Sequence, residues 1–203
     1  MDIKKHLETA WNLTLKHIVP FILMTLVVLV VSFFSLGILA PVMMAGYMQS
    51  IILMMRTGRE PAIQDVFSEM RLFLPLLAFT VALFIAAMIG FSLLFLPGLF
   101  VMAGVTFACF YMLPLMTDRH MGIMDAIKTS WQMAVKGNVA DHVVVVILYI
   151  ALVAIGTSVF IGSLFTLPFA SVFAISVFLE RQGEGSGSPA DAPPPPPIID
   201  SQE

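Results

Sequence analysis

The chain has few charged residues and a single cysteine. Charged residues make up 11% of its 203 residues and hydrophobic residues 59%, whereas a soluble domain is about a quarter charged. This composition is typical of a protein embedded in a bilayer. Because Cys109 is alone, no intrachain disulfide can form. The net charge of −3 owes much to acidic residues in the last 20 positions, and no basic stretch of the nucleic-acid-binding type is present. We therefore expect no nucleic-acid partner.

The residue patterns of catalysis and metal binding are also missing. None of the four histidines lies four positions from another histidine or from cysteine, so there is no zinc motif. The long apolar runs contain no Asp, Glu, Lys or Arg, although proton relays and coupling-ion sites use such residues within the membrane. Fifteen methionines suggest Cu(I), but methionine is also a common filler of apolar packing. We predict a protein that is not an enzyme, with no catalytic residue, metal or cofactor.

What the chain does contain is a series of apolar runs. They cover approximately residues 18–36, 39–55, 72–95, 97–116, 142–163 and 166–179. A helix that crosses the hydrocarbon core needs about 20 residues. The runs predict an all-α polytopic membrane protein with six transmembrane helices, paired as three hairpins. The alternative is that the hairpins enter only one leaflet.

A short unit occurs three times in the chain. Each copy has an amphipathic stretch with an aromatic residue, an apolar run, a proline and a second apolar run. The aromatic residues are Trp11, Phe67 and Trp131, and the prolines are Pro41, Pro97 and Pro168. We predict repeats at about 3–57, 61–118 and 122–182, with the aromatic residues as interfacial anchors among membrane lipids and the prolines at hairpin turns. The amphipathic stretches could also be simple cytosolic extensions of transmembrane helices.

The charges predict an orientation. Every Lys and Arg lies before the first run, in segments 56–71 and 117–141, or after the last run. The opposite loops carry no charge. The positive-inside rule then places both termini in the cytoplasm.

Two further features concern packing and partners. Small residues at helical spacing predict close helix contacts within the chain or in a homo-oligomer; they are Ala82, Ala86, Gly90, Gly104 and Ala108. Residues 183–203 form a Gly-, Ser- and Pro-rich tail that we expect to be disordered and cytoplasmic. Its proline run could dock on a cytosolic protein partner; the run consists of Pro193, Pro194, Pro195, Pro196 and Pro197.

A family resemblance rests on Gly46-Tyr47, the stretch from Arg56 to Pro61, Asp65-Val66-Phe67 and the stretch from Asp125 to Trp131. Over about residues 1–182 the chain resembles uncharacterised bacterial multi-pass membrane proteins related to the membrane domain of glycerophosphoryl diester phosphodiesterases. The resemblance implies a six-helix protein of the bacterial inner membrane. It supplies no catalytic residue, because the phosphodiesterase domain is missing.

Together these observations predict a non-enzymatic integral membrane protein with a transmembrane domain at 1–182. We expect it to act as a membrane-embedded scaffold, an interaction component or an organiser of the membrane. The alternative is a transporter or channel for a small or amphipathic solute or a lipid. A hydrated path lined by Thr106, Thr157 and Ser158 would favour that alternative.

Overall fold

The structure is a computed structural model that describes residues 2–93, 95–136, 139–157 and 160–185. In these ranges the regular structure is entirely helical. The α-helices in chain order are α1 (Ile3–Lys16), α2 (Ile18–Phe34), α3 (Ala40–Thr57), α4 (Phe73–Leu93), α5 (Phe95–Cys109), α6 (Met112–Asp118), α7 (Ile123–Lys136), α8 (Val139–Thr157) and α9 (Phe160–Gly185). Two short 3₁₀ helices, Ile63–Phe67 and Met70–Leu72, connect α3 to α4; we call them the 3₁₀ segment.

Helix α1 is amphipathic and lies across the bundle. Its N-terminus is capped by Asp2, whose carboxylate accepts a hydrogen bond from the Lys5 backbone N–H. His6, Ala10 and Thr14, which follow one another at steps of four, are buried as α1 packs against α9. After His17 the chain bends by 89° into the apolar helix α2. The predicted first amphipathic helix is therefore present and turned sharply away from the apolar helix that follows it.

Helix α3 forms the centre of the fold. It packs against α2, α4, α6, α9 and the 3₁₀ segment. Most of its length is buried, including Met43, Tyr47 and Ile51 at spacings of one helical turn. Pro41 lies in its first turn, where the missing N–H costs no hydrogen bond. The helix ends at Gly58, whose φ of +72° is a left-handed conformation that glycine adopts without strain.

Three helical stretches are long and apolar enough to cross a membrane. They are Ile63–Ser92, which comprises the 3₁₀ segment and most of α4, Val139–Gly156 in α8 and Gly162–Gly183 in α9. The bent pair α1–α2 makes a fourth if it counts as one span. The fourth predicted run, 97–116, is divided between α5 and α6, with a break at Phe110 and Tyr111. The described residues thus support an all-α protein with three to four candidate spans. The count of six and the threefold repeat stay predictions.

The three repeat prolines occupy different positions. Pro41 follows the turn between α2 and α3, and Pro97 lies in the first turn of α5. Pro168 lies inside α9 and not in a turn. A proline within a helix removes one backbone hydrogen bond, but apolar helices tolerate it when neighbouring helices support the segment. Here Pro168 is buried, and α8 and α2 pack on α9.

The middle copy of the predicted unit also differs from the other two. Where we expected an amphipathic α-helix, the chain forms the 3₁₀ segment. Gly46 of α3 allows the backbone of this segment to approach so closely that a β-carbon at position 46 would lie 2.5 Å from the carbonyl oxygen of Asp65. The periodicity of the sequence therefore predicted an α-helix wrongly here, because the segment packs closely on α3.

Candidate functional site

The polar residues of distant segments converge where α3, α6 and α9 end. Both terminal nitrogens of Arg56 donate to the Asp118 carboxylate, Nη1 to Oδ1 at 2.6 Å and Nη2 to Oδ2 at 2.9 Å. Gln182 donates to the same carboxylate at 3.0 Å and accepts from Arg56 Nη2 at 2.8 Å. We call this region, comprising Arg56, Asp118, Arg119, Arg181 and Gln182, the polar end. A paired arginine–carboxylate contact of this kind fixes geometry as well as charge.

Arg181 connects the polar end to helix α7. Its Nη1 donates to the Met133 carbonyl at 2.7 Å, and its guanidinium carbon lies 5.9 Å from the centre of the Tyr111 ring, which is within cation–π range. The Tyr111 backbone N–H donates in turn to Ser130 Oγ of α7 at 3.1 Å. Helix α7 is therefore fixed to the bundle on two sides, through α9 and through the break between α5 and α6.

A cavity of about 210 Å³ opens between the ends of α6, α7 and α9. Its lining residues are Arg119, Thr129, Gln132, Met133, Lys136, Arg181 and Gln182; we call it the basic cavity. A second cavity of about 380 Å³ adjoins it, shares Arg119 and Gln182, and is also lined by Arg56. Among the described residues, the lining of the basic cavity thus includes three cationic side chains and no carboxylate.

A buried polar contact fastens α1 to the C-terminal half of α9. His6 Nδ1 and Ser176 Oγ are 2.6 Å apart, and His6 Nε2 lies 2.6 Å from Glu180 Oε2. The Nε2 contact lacks the alignment of a hydrogen bond, so we describe it only as a close polar contact. The three groups resemble a Ser-His-Glu triad in composition. However, His6 is 4% and Ser176 8% exposed, and substrate needs access to a nucleophile, so the contact serves to hold α1.

We predict that His6→Ala loosens α1 from α9. The substitution leaves Ser176 without its partner in a buried site, which costs about 1–3 kcal/mol. Trp11 reports on this docking because its ring lies edge-to-face against Phe165 and Phe169. We expect the Trp11 emission of a Trp131→Phe background to change and the midpoint of thermal unfolding to fall. Lys4→Ala, on the exposed face of α1, is the control; equal effects of both substitutions would contradict the prediction.

Asp65 holds the 3₁₀ segment against α3. Its carboxylate accepts hydrogen bonds from Ser50 Oγ at 2.6 Å, Arg59 Nη2 at 2.5 Å and the Ala62 backbone N–H at 3.1 Å. Since Ser50 lies on α3, this set of hydrogen bonds joins the 3₁₀ segment to α3 and satisfies the carboxylate. Asp65 lies at the polar start of the segment that leads into α4, and its charged form stabilises that connection.

The predicted interfacial aromatics all lie partly exposed at the surface. Trp11 is 49%, Phe67 41% and Trp131 51% exposed. In each case the preceding residue is buried: Ala10, Val66 or Ser130. Each aromatic residue therefore follows a buried residue and is itself partly exposed; its role as an interfacial anchor stays a prediction.

The predicted packing residues do not share one role. Gly90 is buried, and a β-carbon there would lie 3.1 Å from the Gly98 α-carbon, so α4 and α5 approach closely at this point. Ala82, Ala86 and Gly104 are exposed, and Ala108 is half-buried. The first three are therefore available to lipid or to a second copy of the chain. The proline run Pro193–Pro197 lies outside the described residues.

Sequence reasoning missed the residues that form the polar end and the α1 contact. Arg56 and Asp118 are 62 positions apart, and His6 and Ser176 are 170 apart. The only local signal was that charged residues flank the apolar runs, which does not say which of them pair.

Among the described residues, no group of three or more His, Cys, Asp or Glu side chains could hold a metal ion. Comparison of this chain with family models, curated proteins and solved structures finds no match.

Proposed function

We propose that this chain is a non-enzymatic integral membrane protein that acts as a scaffold or organiser of the bilayer. The observation that carries the proposal is the distribution of surface polarity. Large apolar side chains cover the outside of the bundle; Phe33 and Phe34, for example, are 78% and 80% exposed. Contiguous apolar surfaces of this kind are rare on soluble monomers, while the charged residues lie in the segments that flank the apolar runs.

The amphipathic helices give this scaffold its contact with lipid. Helix α1 turns by 89° from α2 and exposes Trp11 on one side, which suits a helix lying in the headgroup plane. Helix α7 exposes Trp131 in the same way. The polar end and both termini would then face the cytoplasm of a bacterial inner membrane, following the distribution of Lys and Arg. In that orientation the tail would be available to a cytosolic partner.

The proposal implies a dry bundle, and a labelling experiment tests this. In a Cys109→Ala background we expect Thr106→Cys to resist a small water-soluble maleimide in native membranes. The Thr106 hydroxyl donates to the Met102 carbonyl of its own helix at 2.8 Å, so its polarity is satisfied without water. His120→Cys, at an exposed position of the polar connection between α6 and α7, is the control that should react.

Reaction of both cysteines at similar rates would indicate a hydrated path at Thr106. That result would replace the scaffold by the alternative of a transporter or channel for a small or amphipathic solute. If Thr106→Cys is not labelled while His120→Cys reacts fully, the result would support the scaffold proposal.

A further inference from the structure

We propose that the basic cavity is a binding site for a phosphate group carried as a monoester or as free phosphate. This proposal goes beyond the scaffold function. It does not depend on that function and requires only that the polar end be folded. It rests on the convergence of Arg119, Lys136 and Arg181 around one cavity. These residues come from the end of α6, the end of α7 and α9, so the tertiary structure brings their charges together.

Within the part of the chain that the structure describes, no carboxylate pairs with the cationic side chains of Arg119, Lys136 or Arg181. Asp118, the carboxylate of the polar end, is 5% exposed and is already bound by Arg56 and Gln182. In the described part of the chain, Arg119 and Lys136 form no ion pair. Like charges that face one cavity repel one another, so an anion bound between them would relieve that repulsion.

The geometry of the donors suits phosphate. Arg181 is oriented by the Met133 carbonyl through Nη1, which leaves the remaining guanidinium N–H groups as donors. Guanidinium groups match the oxygens of phosphate in pairs, and Thr129 and Gln132 add neutral donors to the lining. A phosphate monoester carries a charge of about −1.5 to −2 near neutral pH. Three cations match this charge more closely than they match the single negative charge of a carboxylate.

The size of the cavity limits the ligand. Pockets for whole drug-sized molecules measure about 300–1,000 Å³, and the basic cavity is about 210 Å³. It can therefore enclose a phosphate group but not the rest of a large molecule, which would extend into the adjoining cavity or into the membrane surface beside α7. The phosphate could belong to a soluble compound or to a lipid such as phosphatidic acid.

Lys136→Gln tests the site directly, because Lys136 supports no other contact in the described structure. Its matched control is Lys128→Gln, which removes the same charge from an exposed position of the same helix outside the cavity. Calorimetry of the full chain in detergent would measure the dissociation constant of inorganic phosphate. We expect wild type and Lys128→Gln to bind alike and Lys136→Gln to bind about tenfold more weakly, as for the loss of one charge-assisted hydrogen bond.

A second arm separates the two sources of phosphate. The same titration is made in nanodiscs of phosphatidylcholine and in nanodiscs that also contain phosphatidic acid, with the melting midpoint recorded in each. If phosphatidic acid weakens the binding of inorganic phosphate and raises the melting midpoint of wild type but not of Lys136→Gln, the site binds a lipid phosphate. Unchanged binding of inorganic phosphate assigns it to a soluble ligand.

The proposal is overturned if neither inorganic phosphate nor phosphatidic acid binds in a way that depends on Lys136. It is also overturned if Lys128→Gln weakens binding as much as Lys136→Gln, since that would indicate general attraction to a basic surface. The detergent arm does not require the scaffold function, and the labelling of Thr106→Cys does not require phosphate. Failure of one proposal can therefore be distinguished from failure of the other.

Discussion

Gly46→Ala is expected to destabilise the protein strongly, because it forces two closely packed backbone segments apart. The new β-carbon would lie 2.5 Å from the Asp65 carbonyl oxygen and 2.7 Å from the Val66 carbonyl carbon. Both atoms belong to the backbone of the 3₁₀ segment, which cannot rotate away as a side chain can. The segment would have to separate from α3, the central helix of the fold.

The magnitude follows from two opposing effects. Alanine is the better helix former and gains about 1 kcal/mol over glycine within a helix. Overpacking of a tight core costs about 1–3 kcal/mol, and occasionally more. Because the Ser50–Asp65 hydrogen bond joins the same two elements, moving the segment also weakens a part-buried polar contact. Because the clash is with backbone atoms, we take the upper end of the overpacking range. The net loss is then about 3 kcal/mol, enough to lower the melting midpoint by several degrees.

The measurement is the unfolding midpoint in detergent, together with the fraction of protein that elutes as a single species. Gly104→Ala is the matched control, because a β-carbon at Gly104 meets no atom within 4 Å and gains the same helix propensity. We expect Gly104→Ala to be neutral or slightly stabilising. Equal midpoints for the two variants would show that α3 and the 3₁₀ segment are not packed as described.

Arg56→Ala is expected to have the second largest effect. Asp118 is 5% exposed whereas Arg56 is 45% exposed. Removing the arginine leaves a buried carboxylate that, among the described residues, keeps the hydrogen bond from Gln182. Loss of one partner from a fully buried pair costs about 3–5 kcal/mol. Since Arg56 is partly solvated, we expect about 2 kcal/mol, measured as a lower midpoint of unfolding.

A double-mutant cycle identifies the cause. If the penalty comes from the unpaired carboxylate, Arg56→Ala/Asp118→Ala should be more stable than Arg56→Ala alone. Lys4→Ala, which removes an exposed ion pair with Glu8 at 3.8 Å, should change stability by less than about 0.5 kcal/mol. Additive losses in the cycle would contradict a direct coupling of Arg56 and Asp118.

Local sequence patterns were sufficient to predict most of the helices and the separation of charged from apolar segments. Apolar runs and their flanking polar residues are local features, and a hydrophobic run of sufficient length forms a helix in almost any apolar surrounding. The amphipathic helices α1 and α7 and their outward aromatic residues, Trp11 and Trp131, also follow from a period of about four residues. Helices α2, α3 and α4 lie close to the predicted runs 18–36, 39–55 and 72–95, whereas run 97–116 is divided between α5 and α6 and α9 extends beyond run 166–179.

The tertiary structure alone decided which residues meet. The pairing of Arg56 with Asp118 and of His6 with Ser176 depends on how helices pack, which no local pattern encodes. Pro168 shows the same limit, since a proline predicts a turn from sequence, yet the packing around α9 supports it within a helix. The basic cavity exists for the same reason: Arg119, Lys136 and Arg181 are ordinary charges at helix ends until α6, α7 and α9 bring them to one point.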